Sequence, residues 1–380
     1  MGPPDEPLPV LLQHKPTPLP NSNVTFRVRG VPLDWSAHRL QSFLAEPDPL
    51  SVPVVRSLAR EIHDRSNTAT VTFQVLPSQL QGLKAAHSSW NIPLPAGSED
   101  HNQPLHIQFV TIDDDFEGIT TLHMPLSESH NVDFVAIPGL GGHAFGSFKE
   151  RGGGHIWLRD SLPFHLREAA RQPLMARVMT WGYNSTLAGS ENMQNIEDLA
   201  TQLRTSLLPL ASPPTRPIIL IAHSMGGLVV KQALVDMSKS DNELDSRIVR
   251  AVYGIAFFGV PHLGMEIGSL IPMVGDGPNL PLLQSLDRIK SQIPSVGESD
   301  LPTALGGKGD SEIVYFYETL MSPTAQKDSA GVWKMTGPVK VLVDKTSATH
   351  RRRSEEGPQH TCAIARTHSN MVKFGPQDHE

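Results

Sequence analysis

A chain of 380 residues, 39% hydrophobic and 19% charged, is long enough to bury a sizeable core and to divide into domains of roughly 150 residues. Its formal net charge of −7 supplies no basic field for nucleic acid or an anionic membrane, and a single cysteine, Cys362, excludes a disulfide scaffold. No segment reaches the ~18 uninterrupted apolar residues of a membrane span, and the N-terminus MGPPDEPLPVLLQHKP lacks the pattern of a signal peptide, so a soluble, intracellular chain is expected.

In chain order, residues 1–20 read as a disordered Pro-rich tail. Val24–Val31 alternates apolar and polar as a half-buried strand does. Helical spacing follows from Trp35 to Leu44. Two strands are predicted over Val54–Ile62 and Thr68–Phe73, then a helix over Leu76–Ala86. This β-α-β-β-α order over 21–91 resembles a small α+β domain of the ferredoxin-like, RNA-recognition-motif kind. Such a sheet binds RNA by stacking bases on aromatic rings of its two central strands. Here those positions carry Arg27, Thr68 and Thr70, so a structural or protein-contact module is expected, without nucleic acid. Residues 92–104, IPLPAGSEDHNQP, read as a linker.

A larger α/β region is predicted over 105–375, with 376–380 as a tail. Leu105–Ile112 and Val132–Ile137 read as its first strands. The second ends in Pro138-Gly139-Leu140-Gly141-Gly142-His143. That loop lacks the Gly-Lys-Ser/Thr ending of a phosphate loop, and suits a backbone that approaches a substrate carbonyl. Trp157–Asp160 opens a helix, Arg177–Tyr183 is a strand, and Ser190–Leu210 has amphipathic helical spacing. Pro217–Ala222 is an apolar run suited to a strand buried on two faces. It enters His223-Ser224-Met225-Gly226-Gly227 and then an apolar helix. Strand, sharp small-residue turn and helix form the context of a G-x-S-x-G nucleophile elbow, with Ala222 in place of the first glycine. Ser224 is therefore read as a nucleophile rather than a loop serine between core elements. The N–H groups of Leu140 and Met225 are the expected oxyanion donors.

Ile248–Pro261, the longest apolar stretch, reads as a buried strand despite Arg250. His262 beyond it follows the wrong strand for a catalytic base and is expected to pack. Pro272–Ile293 suits a cap. Ile313–Tyr317 leads to Glu318, and Val339–Val343, taken as the last strand, leads to Asp344. The basic run Arg351–Arg353 reads as a solvated loop. Alternating strands and helices predict a mostly parallel sheet covered on both faces, the α/β-hydrolase class.

In that class the order is Ser, acid, His. The histidine must come from His350, His360, His368 or His379. His368 is favoured because Met371, Val372 and Phe374 would anchor its loop, with Ser369 or Asn370 capping a short helix. For the acid, Glu318 after the penultimate strand is favoured and Asp344 is the alternative. The stretches IAHSMGGLVVKQAL, GIAFFGVPHLGM, YFYETL and THSNMVKF resemble the fungal branch of the serine-active-site-containing α/β-hydrolases, over about residues 105–375. The resemblance implies an esterase or lipase with Ser224, Glu318 and His368 as triad and Gly139-Leu140-Gly141 in the oxyanion loop. It also implies lipid substrates and peripheral contact with mitochondrial or endoplasmic-reticulum membranes. Pro138 and Thr367 depart from the family pattern, which has His and an acidic residue there. The expected chemistry is ester hydrolysis through an acyl-enzyme, needing no metal or organic cofactor. The alternative is a weakly active or inactive hydrolase fold used as an interaction module.

Overall fold

Strand β1 (Thr25–Val31) opens a five-stranded antiparallel sheet of order β2-β3-β1-β5-β4, with β2 Pro53–Arg60, β3 Asn67–Phe73, β4 Trp90–Pro93 and β5 Phe109–Asp113. The computed structural model describes residues 24–81, 89–95, 108–125, 130–169, 175–287, 301, 304–305, 311–349 and 357–378. The N-terminal tail, the run Arg351–Arg353, His350, His379, and most of the expected linker lie outside the described residues. Helix α1 (Ala37–Ala45) begins at Ser36, whose hydroxyl accepts the Arg39 N–H, and it buries Leu40, Phe43 and Leu44. These pack with Phe26, Val28, Val71, Val110 and Ile112 into one apolar layer. Of the second predicted helix, α2 (Ser78–Gln81) is described.

Strand β5 corrects the sequence reading. The run over Leu105–Ile112 was expected to open the second region, yet its part from Phe109 onward forms β5, between β1 and β4 in the first sheet. Val110 and Ile112 point into the same core as Val28, and Arg27 pairs in register with Asp113. Burial of that apolar face outweighed proximity in sequence to the second sheet.

The second sheet has seven strands in the order β14-β11-β10-β9-β7-β8-β6. Its members are β6 Gly118–His123, β7 Val132–Ile137, β8 Ala176–Gly182, β9 Ile218–His223, β10 Val252–Phe258, β11 Glu312–Glu318 and β14 Thr361–Ile364. All pairings are parallel except β6 on β8. Strand alternation divides its side chains between two cores. Val135, Met179, Leu220, Ile255 and Ile313 meet the helices that follow on one face. Phe134, Val178, Ile221, Phe258 and Ile364 meet Phe148, Leu158 and Met371 on the other.

Helices α3 (Trp157–Asp160) and α4 (Leu162–Ala169) follow the Gly-rich loop. Helix α5 (Ile196–Leu207) starts later than its pattern suggested, at a capping box between Asn195 and Asp198. Helix α6 (Met225–Ser238) follows β9 directly, and α7 (Glu243–Ala251) takes the residues before β10. The apolar stretch from Ile248 is thus helix first and strand only from Val252, because Asn242 caps α7 and Glu243 and Asp245 suit its first turn. Short helices α8 (Ile271–Val274) and α9 (Leu280–Gln284) contribute Val274, Leu282 and Leu283 to the first core. The expected last strand does not join this sheet. Strand β13 (Trp333–Lys340) pairs with β12 (Ser322–Lys327) as a separate hairpin, and α10 (Lys345–Ala348) follows. The place beside β11 goes to β14, whose four residues TCAI are too short for a periodic signal. Among the described residues no helix is long and apolar enough to cross a membrane.

The first sheet turns its Arg27, Thr68 and Thr70 face toward the second. Arg27, Thr68 and Thr70 are 2%, 1% and 0% exposed, so the face on which a nucleic-acid-binding sheet would display rings is covered. Arg27 donates to both carboxylate oxygens of Asp113, to Glu117 O and to Thr120 Oγ1 of β6, and Arg159 of α3 donates to Thr70 Oγ1.

Candidate active site

Strand β9 ends at His223 and α6 begins at Met225, leaving Ser224 alone to make the turn. It does so at φ 52° and ψ −129°, a left-handed backbone that costs a non-glycine residue of order 1–3 kcal/mol. The turn is held by Ser224 N–H to Phe258 O (2.9 Å) and Gly227 N–H to Ser224 O (3.0 Å). Two glycines make it sterically feasible. A Cβ on Gly226 would lie 2.3 Å from Pro138 O, and one on Gly227 would lie 2.3 Å from Val260 Cγ2. The sequence reading singled out Gly226 for this approach and missed Gly227.

His368 is reached from the end of β14 through a turn closed by Asn370 N–H and Met371 N–H to Thr367 O. Met371 and Val372 are fully buried and anchor it, as expected. Neither Ser369 nor Asn370 caps a helix there; Asn370 Oδ1 instead accepts from Arg151 Nε at 2.6 Å. The imidazole Nε2 lies 2.9 Å from Ser224 Oγ, and Nδ1 lies 2.9 Å from Glu318 Oε2. A carboxylate only accepts, so Nδ1 carries the proton and Nε2 offers its lone pair to the serine hydroxyl. Ser224, His368 and Glu318 are 4%, 6% and 7% exposed, so the hydrogen-bonded chain is shielded from water.

Glu318 terminates β11 and its Oε1 accepts the Val343 N–H at 3.2 Å. Asp344, the alternative acid, caps α10 instead, its carboxylate accepting the Ser347 N–H at 2.9 Å. The hairpin of β12 and β13 carries the chain past Glu318, so Asp344 follows no strand of the main sheet. His360 sits at the other end of β11, with Nδ1 3.1 Å from Ile313 O. His262 packs edge-on against Phe257 and Tyr315 and contacts Lys231 Nζ, the packing role expected of it.

The loop from Pro138 to His143 lies directly over the elbow. A Cβ on Gly139 would come within 2.7 Å of Ser224 Cβ, so only glycine fits. Tyr183 Oη donates to Pro138 O (2.9 Å), Gly141 N–H to Ser185 O (3.0 Å) and Gly142 N–H to Gly139 O (3.0 Å). Burial pushes the Tyr183 phenol well up, which keeps it a donor. Among the described residues no protein acceptor takes the N–H of Leu140 or of Met225, the latter being the first amide of α6.

Three further residues escaped the sequence reading. His223 donates from Nε2 to the backbone O of His368 (2.9 Å), and burial pushes its imidazole down to about 3, so the ring is neutral. Ser322 Oγ accepts the His368 N–H at 2.8 Å. Gly259 adopts φ +55°, and a Cβ there would lie 3.1 Å from both Glu318 Oε2 and His368 Cε1. His223 and Gly259 lie inside the apolar motifs of the sequence reading, yet neither role has a local signal. Among the described residues no cluster of three His, Cys, Asp or Glu side chains is placed to hold a metal ion.

No family model matches the chain. Among characterised proteins, protein SERAC1 of Danio rerio is 51% identical over 49 residues, 13% of this chain and 7% of its own. Protein SERAC1 of Mus musculus is 27% identical over 165 residues, covering 40% of this chain and 25% of its own. The chain thus spans at most a quarter of the length of these curated relatives, and they are animal proteins. Among solved structures, the mature lipase BlEst2 of Bacillus licheniformis is 12% identical, with a TM-score of 0.37 over 67% of this chain and 92% of its own. A phospholipase PlaB of Legionella pneumophila is 11% identical, with a TM-score of 0.35 over 53% of this chain and 40% of its own.

Proposed function

We propose that the chain is a serine hydrolase of carboxylic esters with the α/β-hydrolase fold. The observation that carries this reading is the unbroken line Ser224 Oγ, His368 Nε2, His368 Nδ1, Glu318 Oε2, each contact 2.9 Å, with the serine on a strained turn. Ser224 attacks the ester carbonyl while His368 takes its proton. Glu318 holds the imidazole in the tautomer that can accept. The Leu140 and Met225 N–H groups stabilise the tetrahedral oxyanion, each donor contributing about 3 kcal/mol to the transition state. His368 then returns the proton to the leaving alcohol, and water, deprotonated by the same ring, releases the acyl group. The resemblance of the sequence motifs to serine-active-site-containing hydrolases motivates a lipid ester as substrate and peripheral membrane contact at the site. The order of the first sheet, with β1 and β3 central, supports its reading as an RNA-recognition-like module; we place it over about 24–113 and the hydrolase region after it.

A serine-directed fluorophosphonate probe tests the reading. Labelling of the wild type and not of Ser224→Ala is expected, and folded wild-type protein that resists the probe would favour an interaction module. On a short-chain ester, Glu318→Ala should lower kcat by about 10²-fold or more, and Asp344→Ala should leave it within about threefold. Loss of turnover only in Asp344→Ala would reverse the assignment of the acid.

A further inference from the structure

The junction between the two sheets ends beside the Gly-rich loop. After β5 the chain turns sharply at Asp113–Glu117 before β6. Phe116 takes φ +54° there and is fully buried. The turn is fixed by charge: Asp113 accepts from Arg27 Nε, Arg29 Nε and the Phe116 N–H, and Asp115 accepts the Glu117 N–H. Its outward carbonyl, Asp114 O, lies 2.6 Å from Nε2 of His143, the last residue of the Gly-rich loop. A carbonyl only accepts, so Nε2 bears the proton. Nδ1 is then free to accept, and it takes the N–H groups of Phe145 (3.1 Å) and Gly146 (2.9 Å). One neutral tautomer satisfies all three contacts. The ring also packs edge-on against Phe116, centroids 5.3 Å apart.

We infer that His143 is a positioning residue, a latch through which the turn leaving the N-terminal sheet sets the backbone of the loop carrying the Leu140 N–H. This rests on the reading of that amide as an oxyanion donor. Gly142 N–H closes on Gly139 O, so the loop is a tight turn that enters His143 directly. Its far side is tied by Tyr183 and Ser185. The His143 backbone is also tied to Ser147, whose Oγ accepts the His143 N–H (3.0 Å) and whose N–H donates to His143 O (2.9 Å), but these contacts lie within the loop. Without the latch nothing ties it to the turn leaving the first sheet, and the amide gains freedom to rotate away from the oxyanion position. A displaced donor loses transition-state stabilisation without changing ground-state binding, so kcat falls and KM does not.

The side-chain geometry separates the two halves of the latch. Asparagine places its oxygen near Nδ1 but cannot reach Asp114 O, whereas glutamine can place its amide N–H near Nε2. In the full chain, His143→Asn should lower kcat on a short-chain ester about 10–100-fold with KM within about twofold, and His143→Gln should recover to within about fivefold of wild type. Hydrogen exchange of the peptide over 138–147 reads the latch without any chemistry: it should speed up about tenfold or more in His143→Asn and stay slow in His143→Gln. Unchanged exchange and kcat in a folded His143→Asn overturns the inference. So does equal loss in both variants accompanied by a lowered melting temperature, which marks a fold-stabilising histidine only. Full turnover in Ser224→Ala would instead sink the reading of the site, and the exchange measurement would still decide the latch.

Discussion

At the scale of single residues, two neighbouring histidines are kept apart in role by their surroundings. His368 meets a carboxylate on one nitrogen and a hydroxyl on the other. His223 is buried beside it, and burial first, then the proximity of His368, holds its imidazole down to about 3 against an ordinary value near 6.5. The sign of its contribution to stability follows. Between about pH 6.5 and pH 3 the unfolded chain binds the His223 proton and the folded one does not, so stability is complete above that window and lost as pH falls through it. The urea midpoint should therefore drop from pH 7 to pH 5, and the drop should shrink in His223→Gln, which retains an N–H donor. An unaltered drop in that variant would move the cause elsewhere. Gly259 is equally constrained: Gly259→Ala puts a methyl in a left-handed backbone against Met371 Sδ at 2.8 Å, and should lower kcat by about 10-fold or more by displacing His368.

At the scale of elements, the strand-turn-helix from β9 to α6 is the part most legible in the sequence. Its signals are local: a β-branched run, one residue forced to positive φ, and small residues where backbones cross. The acid was less legible, since Glu318 and Asp344 each follow an apolar run. Which run enters the seven-stranded sheet is a tertiary matter: Glu318 ends β11 of that sheet, and the run before Asp344 leaves the β12–β13 hairpin. The turn after β5 carries a buried ion pair, Arg27 with Asp113. Desolvation pushes the Asp113 carboxyl up and the Arg27 guanidinium down from their ordinary values, so the pair adds little net stability. Breaking it is another matter. Arg27→Met leaves Asp113, at 1% exposure, with only the more exposed Arg29 and the Phe116 N–H as partners, and should cost about 3 kcal/mol in urea denaturation. A loss under about 1 kcal/mol would show that water reaches the turn.

At the scale of the whole molecule, the two sheets share a buried polar seam through Arg27, Thr70, Thr120 and Arg159 rather than hanging on a linker. Far-UV circular dichroism and tryptophan emission should thus report one urea transition with one midpoint, since opening the seam exposes Arg27 and Asp113 together. Two separated midpoints would mean that the sheets unfold independently. The covered face also gives a physical reason why Arg27, Thr68 and Thr70 stand where a nucleic-acid-binding sheet would carry rings: these positions serve an intramolecular contact.

The amino-acid sequence by itself made legible the strand-turn-helix at Ser224, the glycine loop above it and Glu318 and His368 as candidate partners, because each is written in neighbouring residues or in simple succession along the chain. Tertiary structure alone decided that Phe109–Asp113 belongs to the first sheet, that TCAI is the last strand of the second, and that His223, Gly259, Ser322 and His143 stand around the site. Their partners lie between 29 and 145 residues away along the chain, and at such separations strand order, not local propensity, fixes which groups meet.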